Sequence, residues 1–221
     1  MIVRVCVLAV TLLMGAASIG LAQQNDPLPR AVADVRASSA GLTTGLGWTP
    51  TVPEGTLIPG RGLGLEAGAH VYVARFRFGA LGLGSTFLMA RGKAAPPEPV
   101  SSSTTVTALP GIRTRLTSLV PQVSLNFGRR LGWSYLSGGL GRTRVTSEVV
   151  EPLAGTTPAP SESPWVRTIN YGGGARWFIN DHVGVGFDLR WHKLSVVPRT
   201  GTHPGAPRAS LVTAGVGLVL K

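Results

Sequence analysis

Cysteine is almost absent from this chain of 221 residues: the single one, Cys6, lies inside an apolar run near the N-terminus. No small-residue lipobox precedes it, which argues against a lipoprotein. If the run is removed as an export signal, the remaining chain has no cysteine at all. Disulfide bonds and a thiol nucleophile are then excluded.

The apolar run itself, residues 5–13 (VCVLAVTLL), is short for a membrane-spanning helix. Arg4 precedes it and the small residues of Gly20-Leu21-Ala22 follow it, which is typical of a cleaved signal peptide. We therefore predict a signal peptide over residues 1–22 and a mature N-terminus at Gln23. An uncleaved membrane anchor is the alternative.

Acidic side chains are scarce, with 10 Asp and Glu against 21 Lys and Arg. Removal of Arg4 with the signal peptide leaves 20 basic against 10 acidic residues, a net charge of +10. The basic residues are mostly arginines, spread singly or in pairs without a dense run or a binding motif, so nucleic acid is not an expected partner. For an exported protein, anionic lipid head groups match this charge better.

Residues that build helices are also few, because 30 glycines and 17 prolines are scattered among Val, Leu, Thr and Ser. The prolines are grouped, and four long stretches almost lack them: 60–95, 111–151, 165–197 and 208–221. Proline cannot donate a hydrogen bond to a strand ladder. The stretches are therefore candidate strands, and the proline groups are candidate loops.

Eight strands fit this map, at residues 35–49, 62–74, 77–92, 113–128, 132–148, 165–179, 183–197 and 208–221. Short and long links alternate between them without exception, and the even number of strands puts both termini on the short-turn side. This arrangement is typical of a single-chain transmembrane barrel. After an N-terminal segment at 23–34, we predict one all-β domain over residues 35–221, an eight-stranded antiparallel up-and-down transmembrane β-barrel.

Apolar and polar residues alternate along the predicted strands, which places each set on one face. In the seventh strand, Phe187 and Leu189 oppose Asp188, and the second, fourth and last strands follow the same rule. The faces of the first and fifth strands are not assigned. A soluble barrel would bury the apolar face, whereas a membrane barrel would turn it outward.

The export signal, the glycines on the polar face and aromatic residues near the short turns favour the membrane barrel. The aromatic residues predicted to form an interfacial girdle are Phe76, Phe78, Phe127, Trp133, Tyr135, Trp177 and Phe178. Pro121 lies in the middle of a strand of this closed sheet. Its missing N–H predicts a bulge or a locally broken ladder on the lipid-facing side.

Residues 35–221 resemble the small eight-stranded OmpA/OmpX-type outer-membrane proteins. The resemblance rests on the regular succession of hairpins, the alternation of apolar and polar residues, and the export signal. The resemblance implies a protein of the cell outer membrane, in contact with outer-membrane lipid and lipopolysaccharide and inserted by the barrel-insertion machinery. Such barrels usually end in an aromatic residue that helps this machinery to recognise them. This chain ends Leu218-Val219-Leu220-Lys221, which weakens that signal.

The interior of an eight-stranded barrel is narrow enough for side chains to fill. The predicted register points a polar set inward: Glu66, His70, Gln122, Asn126, Arg142, Asn170, Arg176, Asp188, Arg190 and His192. Charges there must pair or keep water. The first interpretation is a structural network that plugs the barrel, with Glu66 and Asp188 bridged to arginines. The alternative is a narrow pore that surplus arginines bias towards anions.

Catalysis is not predicted, although some barrels of this size are enzymes that act on lipid A with a His and a Ser two residues apart. His192 and Ser195 are three apart and fall on opposite faces of a regular strand. The four histidines have no ligand spacing, so neither a metal nor another cofactor is expected. The predicted role is structural or surface-interacting.

Overall fold

A computed structural model describes residues 28–43, 61–94, 112–149, 161–196 and 209–221. The strands are β1 (Ala31–Thr43), β2 (Arg61–Phe76), β3 (Gly79–Ala94), β4 (Ile112–Arg129), β5 (Gly132–Val149), β6 (Ser161–Glu162), β7 (Val166–Phe178), β8 (Val183–Leu194) and β9 (Ala209–Leu220). Within these ranges no helix is long and apolar enough to cross a membrane. The predicted signal peptide, residues 1–22, lies outside the described residues, as does most of each predicted long link.

The eight long strands close into a ring of antiparallel pairs, while the two-residue strand β6 lies beside β5. Each long strand pairs with its neighbours along the chain, β5 pairs with β7, and β1 closes the ring with β9. Closure leaves no edge strand with unpaired backbone groups. The predicted eight-stranded antiparallel up-and-down barrel is confirmed.

The first strand begins at Ala31, four residues before the predicted start of the barrel domain at residue 35. The last strand, β9, continues to Leu220, which pairs with Ala33. Because the backbone groups of β9 need partners up to that point, β1 begins before residue 33. The predicted N-terminal segment 23–34 therefore ends inside the barrel wall. As a result Asp34 belongs to the wall and faces Gly68 across the β1–β2 pairing.

The two faces of the sheet have the polarity of a membrane barrel. On the outside, Leu63 is 77% exposed and Val216 is 63% exposed, whereas Asn126 and Asn170 in the interior are each 0% exposed. A soluble barrel would have the reverse arrangement, with its aliphatic residues inside. A closed sheet with an apolar exterior and a polar interior is a transmembrane β-barrel.

Only some of the residues predicted for the aromatic girdle lie on the outer face of the barrel. Phe76, Phe78, Phe127 and Trp177 are exposed near the short turns, whereas Trp133, Tyr135 and Phe178 are buried in the interior. Inner-face glycines provide the space for these rings: a Cβ at Gly174 would lie 2.8 Å from the hydroxyl of Tyr135. The prediction was wrong for Trp133 and Tyr135 because the face of the fifth strand was unassigned. It was wrong for Phe178 because this residue shares the inward face of β7 with Arg176.

Pro121 lies on the outer face of β4, and the backbone pairing at this position differs between the two neighbouring strands. The pairing with β3 runs through it without a break, at Ser85↔Pro121. The pairing with β5 lapses after Leu119↔Arg142 and resumes at Gln122↔Gly139 in the same register. The ladder is thus locally interrupted, as expected for a residue without an N–H, and no bulge accompanies the interruption.

Gly128, at the turn between β4 and β5, is expected to resist substitution. Its φ of +140° is one that residues with a Cβ rarely adopt, and an added Cβ would lie 2.6 Å from the carbonyl oxygen of Gly132. Gly128→Ala should lower the free energy of unfolding by about 1–3 kcal/mol. The measurement is urea unfolding in lipid vesicles, followed by tryptophan fluorescence.

Gly138→Ala is the matched control, because a Cβ at that position would have nothing closer than 3.7 Å. An equal loss of stability in both alanine variants would contradict the role assigned to the backbone of Gly128.

Candidate functional site

Six charged side chains meet inside the barrel, and each is at most 3% exposed. They are Asp34 and Arg36 from β1, Glu66 from β2, Arg176 from β7, and Asp188 and Arg190 from β8. Three guanidinium groups face three carboxylates, so the group is neutral as a whole. Buried ions are tolerated when they are paired and hydrogen-bonded in this way.

Arg36 contacts all three carboxylates. Its Nη2 lies 2.8 Å from Oε1 of Glu66 and 3.4 Å from Oδ1 of Asp34, and its Nη1 lies 3.2 Å from Oδ2 of Asp188. Nη1 also donates a hydrogen bond to the hydroxyl of Tyr135 at 2.9 Å, and that hydroxyl in turn donates to Asp188. One side chain of β1 thereby connects β2, β5 and β8 through the lumen.

Arg190 binds the carboxylates from the other side. Its Nε lies 2.6 Å from Oδ1 of Asp188, and its Nη2 donates to Oδ2 of the same carboxylate at 3.1 Å. Asp188 is therefore the nearest counter-charge of Arg190. The remaining nitrogen, Nη1, donates to Oε1 of Gln122 at 2.6 Å and to Oδ1 of Asn170 at 2.9 Å.

Arg176 connects the network to the aromatic residues of the interior. Its Nη2 donates to Oδ2 of Asp34 at 2.8 Å, and its Nη1 lies 3.4 Å from the hydroxyl of Tyr72. The guanidinium carbon lies 4.1 Å from the ring centroid of Tyr135, a cation–π contact. Arg176 and Asp34 lie on β7 and β1, which are not adjacent strands, so their ion pair crosses the lumen.

Neutral polar side chains extend the network beyond Gln122 and Asn170. The amide nitrogen of Gln122 donates to Thr86 at 2.6 Å and lies 2.8 Å from Nε2 of His70. The amide nitrogen of Asn170 lies 3.3 Å from Nδ1 of His192. The amide nitrogens of Gln122 and Asn170 therefore have partners of their own, while the amide oxygens accept hydrogen bonds from Arg190.

Two apolar clusters enclose the polar network. At the long-link end the buried members are Ala40, Leu88, Ala90, Leu116, Val145, Leu194 and Leu211. At the short-turn end they are Leu28, Val32, Tyr72, Ala80, Trp133, Phe178 and Val219. Trp133 stacks on Phe178 with ring centroids 5.0 Å apart, and Tyr72 meets Trp133 edge-on at 6.2 Å. The interior therefore has three layers, and the buried charged side chains are confined to the middle one.

Nine of the ten residues predicted for the lumen are buried in it. Eight of them contact the charge network directly or through one intervening side chain: Glu66, His70, Gln122, Asn170, Arg176, Asp188, Arg190 and His192. Asn126 is also buried but lies apart, with its amide donating to Ser124 at 2.9 Å and to the carbonyl of Ala80 at 3.3 Å.

Arg142, the tenth, was assigned to the wrong face. It is exposed on the outside of the barrel, whereas its neighbour Thr143 points inward, donates to Ser118 and accepts a hydrogen bond from Thr168. The alternation of β5 places the odd-numbered positions, including Trp133 and Tyr135, inside. The interior still has three arginines, because Arg36 lies inside where Arg142 had been predicted.

Three members of the network were not predicted from the sequence: Asp34, Arg36 and Tyr135. The predicted first strand began after Asp34, and its faces were left unassigned. The signal was present in residues 31–40 (AVADVRASSA), where small or apolar residues alternate with Asp34, Arg36 and Ser38. Tyr135 had been placed at the membrane interface for lack of a register for β5.

The His192–Ser195 pair considered for catalysis is not formed. His192 contacts Asn170 and lies 3.3 Å from the hydroxyl of Thr213, while Ser195 lies beyond the end of β8 with its backbone N–H bonded to Arg167. In the described part of the chain, no group of three or more His, Cys, Asp and Glu residues is arranged to hold a metal ion.

Neither a protein-family model nor a curated protein sequence matches the chain. Among solved structures, Neisserial surface protein A is similar with a TM-score of 0.55 at 13% identity, over 87% of this chain and 97% of that one. The Ail protein of Yersinia pestis (TM-score 0.44, 8% identity, 86% and 97% covered) and the protease OmpT of Escherichia coli (0.45, 7%, 90% and 99%) also match.

The fold, the apolar exterior and the filled interior define a transmembrane β-barrel of the small outer-membrane type. The similarity to Neisserial surface protein A confirms the predicted resemblance at the level of the fold.

The buried network is expected to stabilise the barrel far more than an exposed ion pair does. Asp188→Asn keeps the shape of the side chain but leaves Arg36 and Arg190 short of a counter-charge. Loss of one partner of a buried pair typically costs about 3–5 kcal/mol. We expect a decrease of this size in the free energy of unfolding, measured by urea titration in lipid vesicles, and a similar one for Glu66→Gln.

Asp181→Asn is the control, because the Asp181–Arg130 pair has the same chemistry at 2.7 Å but its side chains are 61% and 40% exposed. Exposed pairs typically contribute about 0–1 kcal/mol. Equal effects of Asp188→Asn and Asp181→Asn would show that the interior is hydrated enough to screen its charges.

Proposed function

We propose that this protein is a closed, non-catalytic barrel of the outer membrane whose role is structural or lies at the cell surface. The observation that carries the proposal is the neutral charge network held between two apolar layers. The barrel then acts as a rigid membrane anchor, and the segments that join its strands at the long-link end are presented on one side.

The balance of charge favours a plug over a pore. The anion-selective alternative depended on surplus arginines in the lumen, with Arg142 as a candidate. Arg142 lies outside, and in the described interior three arginines face three carboxylates. No net positive charge then remains in the described lumen to attract an anion.

The apolar layers support the same conclusion. An ion that entered from the short-turn end would have to pass the stacked rings of Trp133 and Phe178, which are 3% and 8% exposed. At the other end Leu88, Leu116 and Leu211 are each at most 2% exposed. Dehydrating an ion between such side chains is unfavourable, so each layer is a barrier to conduction.

A barrel enzyme has less support. Both lumen histidines are bound to amides and a threonine, and in the described residues neither contacts a serine that could serve as a nucleophile. Without a nucleophile–base pair among the described residues, the lumen offers no starting point for the acyl-transfer chemistry of a lipid A deacylase.

Planar-bilayer recording of the purified, refolded protein tests the proposal. We expect no steady conductance from the wild type, because both apolar layers and the ion pairs must open together for ions to pass. Heat-modifiable migration on a gel serves as the control that the reconstituted barrel is folded. A large, steady conductance with a preference for anions would overturn the closed lumen and establish the pore.

A further inference from the structure

Five arginines form a patch on the outer face of the barrel, near its long-link end. This arginine patch consists of Arg91 on β3, Arg115 on β4, Arg142 and Arg144 on β5, and Arg167 on β7. Four of them are exposed, and the side chain of Arg144 is 37% exposed. None takes part in the lumen network.

Two pairs of these arginines lie directly opposite each other in the sheet, Arg91↔Arg115 and Arg142↔Arg167. The Cβ atoms of such cross-strand partners are about 4.5–5.5 Å apart, and like charges at that distance destabilise a sheet. Arg144 lies two residues from Arg142 on the same face and diagonally across from Arg115, which joins the two pairs into one patch.

Carboxylates of the described residues offset only one of these five charges. Glu162 lies 3.0 Å from Nη1 of Arg144 and is the one carboxylate in the described ranges within ion-pair distance of the patch. Glu148 is placed opposite Arg113 instead. Four adjacent guanidinium groups therefore lack a counter-charge from the described parts of the chain, and an anion from outside would supply it.

The patch lies where the apolar exterior ends. Leu140 and Ile169 face each other across β5 and β7, are 69% and 50% exposed, and are the outward residues next to the patch on their strands. On the far side of the patch the guanidinium of Arg144 lies 5.1 Å from the ring centroid of Trp165. A change from aliphatic to basic residues beside an indole is typical of the level of lipid head groups.

In barrels of this class the longer connections face the outside of the cell, so the patch lies at the head groups of the outer leaflet. We propose that the arginine patch binds the phosphate groups of lipopolysaccharide, with the acyl chains of that lipid against Leu140, Ile169 and the neighbouring aliphatic residues. Guanidinium groups suit this ligand because they bind phosphate oxygens two at a time. The inference rests on the outer-membrane location in the proposed function and is independent of a closed lumen.

The width of the patch favours a glycolipid with several phosphates over a lipid with one. The patch crosses β3, β4, β5 and β7, which are about 14 Å apart from first to last at about 4.8 Å per strand. The exposed Lys193 on β8, opposite Ile169, extends the basic surface one strand further, whereas the described outer faces of β1 and β9 have no arginine or lysine.

The test uses the folded protein in neutral phosphatidylcholine nanodiscs and three probes: lipopolysaccharide, the same lipopolysaccharide stripped of its phosphates, and phosphatidylglycerol. Arg142→Gln with Arg167→Gln should weaken binding of the intact lipopolysaccharide about 30-fold, the scale expected when two basic residues are lost from an anionic lipid surface. Removal of the phosphates should weaken binding to the wild type to a similar extent.

The control removes two exposed arginines from the opposite end of the barrel, Arg30→Gln with Arg77→Gln, and should leave the affinity unchanged. Equal losses in the two double variants would overturn the site, because general attraction to negative lipid would then explain the binding. Binding of phosphatidylglycerol as tight as that of lipopolysaccharide would overturn the choice of ligand.

A stability measurement gives an independent readout. Without lipopolysaccharide, Arg142→Gln should raise the urea midpoint of unfolding, because it relieves the repulsion from Arg167. With lipopolysaccharide, the wild type should gain more stability than the variant. A lower midpoint for Arg142→Gln in neutral nanodiscs would contradict the repulsion on which the argument depends. A conducting wild-type barrel would overturn the closed lumen and leave these measurements unaffected.

Discussion

The neutrality of the interior charge cluster is the condition on which the rest of this barrel depends. Each unpaired ion in such a space would cost several kcal/mol, so the wall is stable only while every charge has its partner. The strands hold the partners in place, and the ion pairs in turn connect strands that are not neighbours. Arg36 reaches Asp188 on β8, and Asp34 reaches Arg176 on β7, in both cases across the lumen.

The layered interior explains why a membrane protein of this size contains so many glycines. Three arginines and several aromatic rings have to fit inside a ring of eight strands, and only positions without a side chain leave room for them. Gly174 lies against Tyr135, and Gly68 lies beneath the carboxylate of Asp34. The outer face has no such constraint, and aliphatic residues occupy it for contact with lipid.

The sequence predicted the strands of the barrel wall better than the arrangement of side chains in the lumen. Proline positions and a period of two are local signals, and they located eight strands and the faces of most of them. Where a strand has glycine and serine on both faces, as β5 does, the period is hidden, and Arg142 was placed inside by mistake. Arg36 was missed because the faces of the first strand were left unassigned, although the alternation of residues 31–40 carried the signal. The neutral balance of the lumen is a property of the closed ring.

The ion pair between Arg176 and Asp34 joins residues 142 positions apart in the chain. Before β1 meets β9, no ring exists, and each of these groups would face lipid or an open groove without its counter-ion. If the sheet grew strand by strand within the bilayer, Asp34 and Arg176 would stay apart until the ring closed, which is unfavourable for charges at membrane depth. The ion pairs that cross the lumen form only when the wall closes, so we expect insertion to need the first and last strands together.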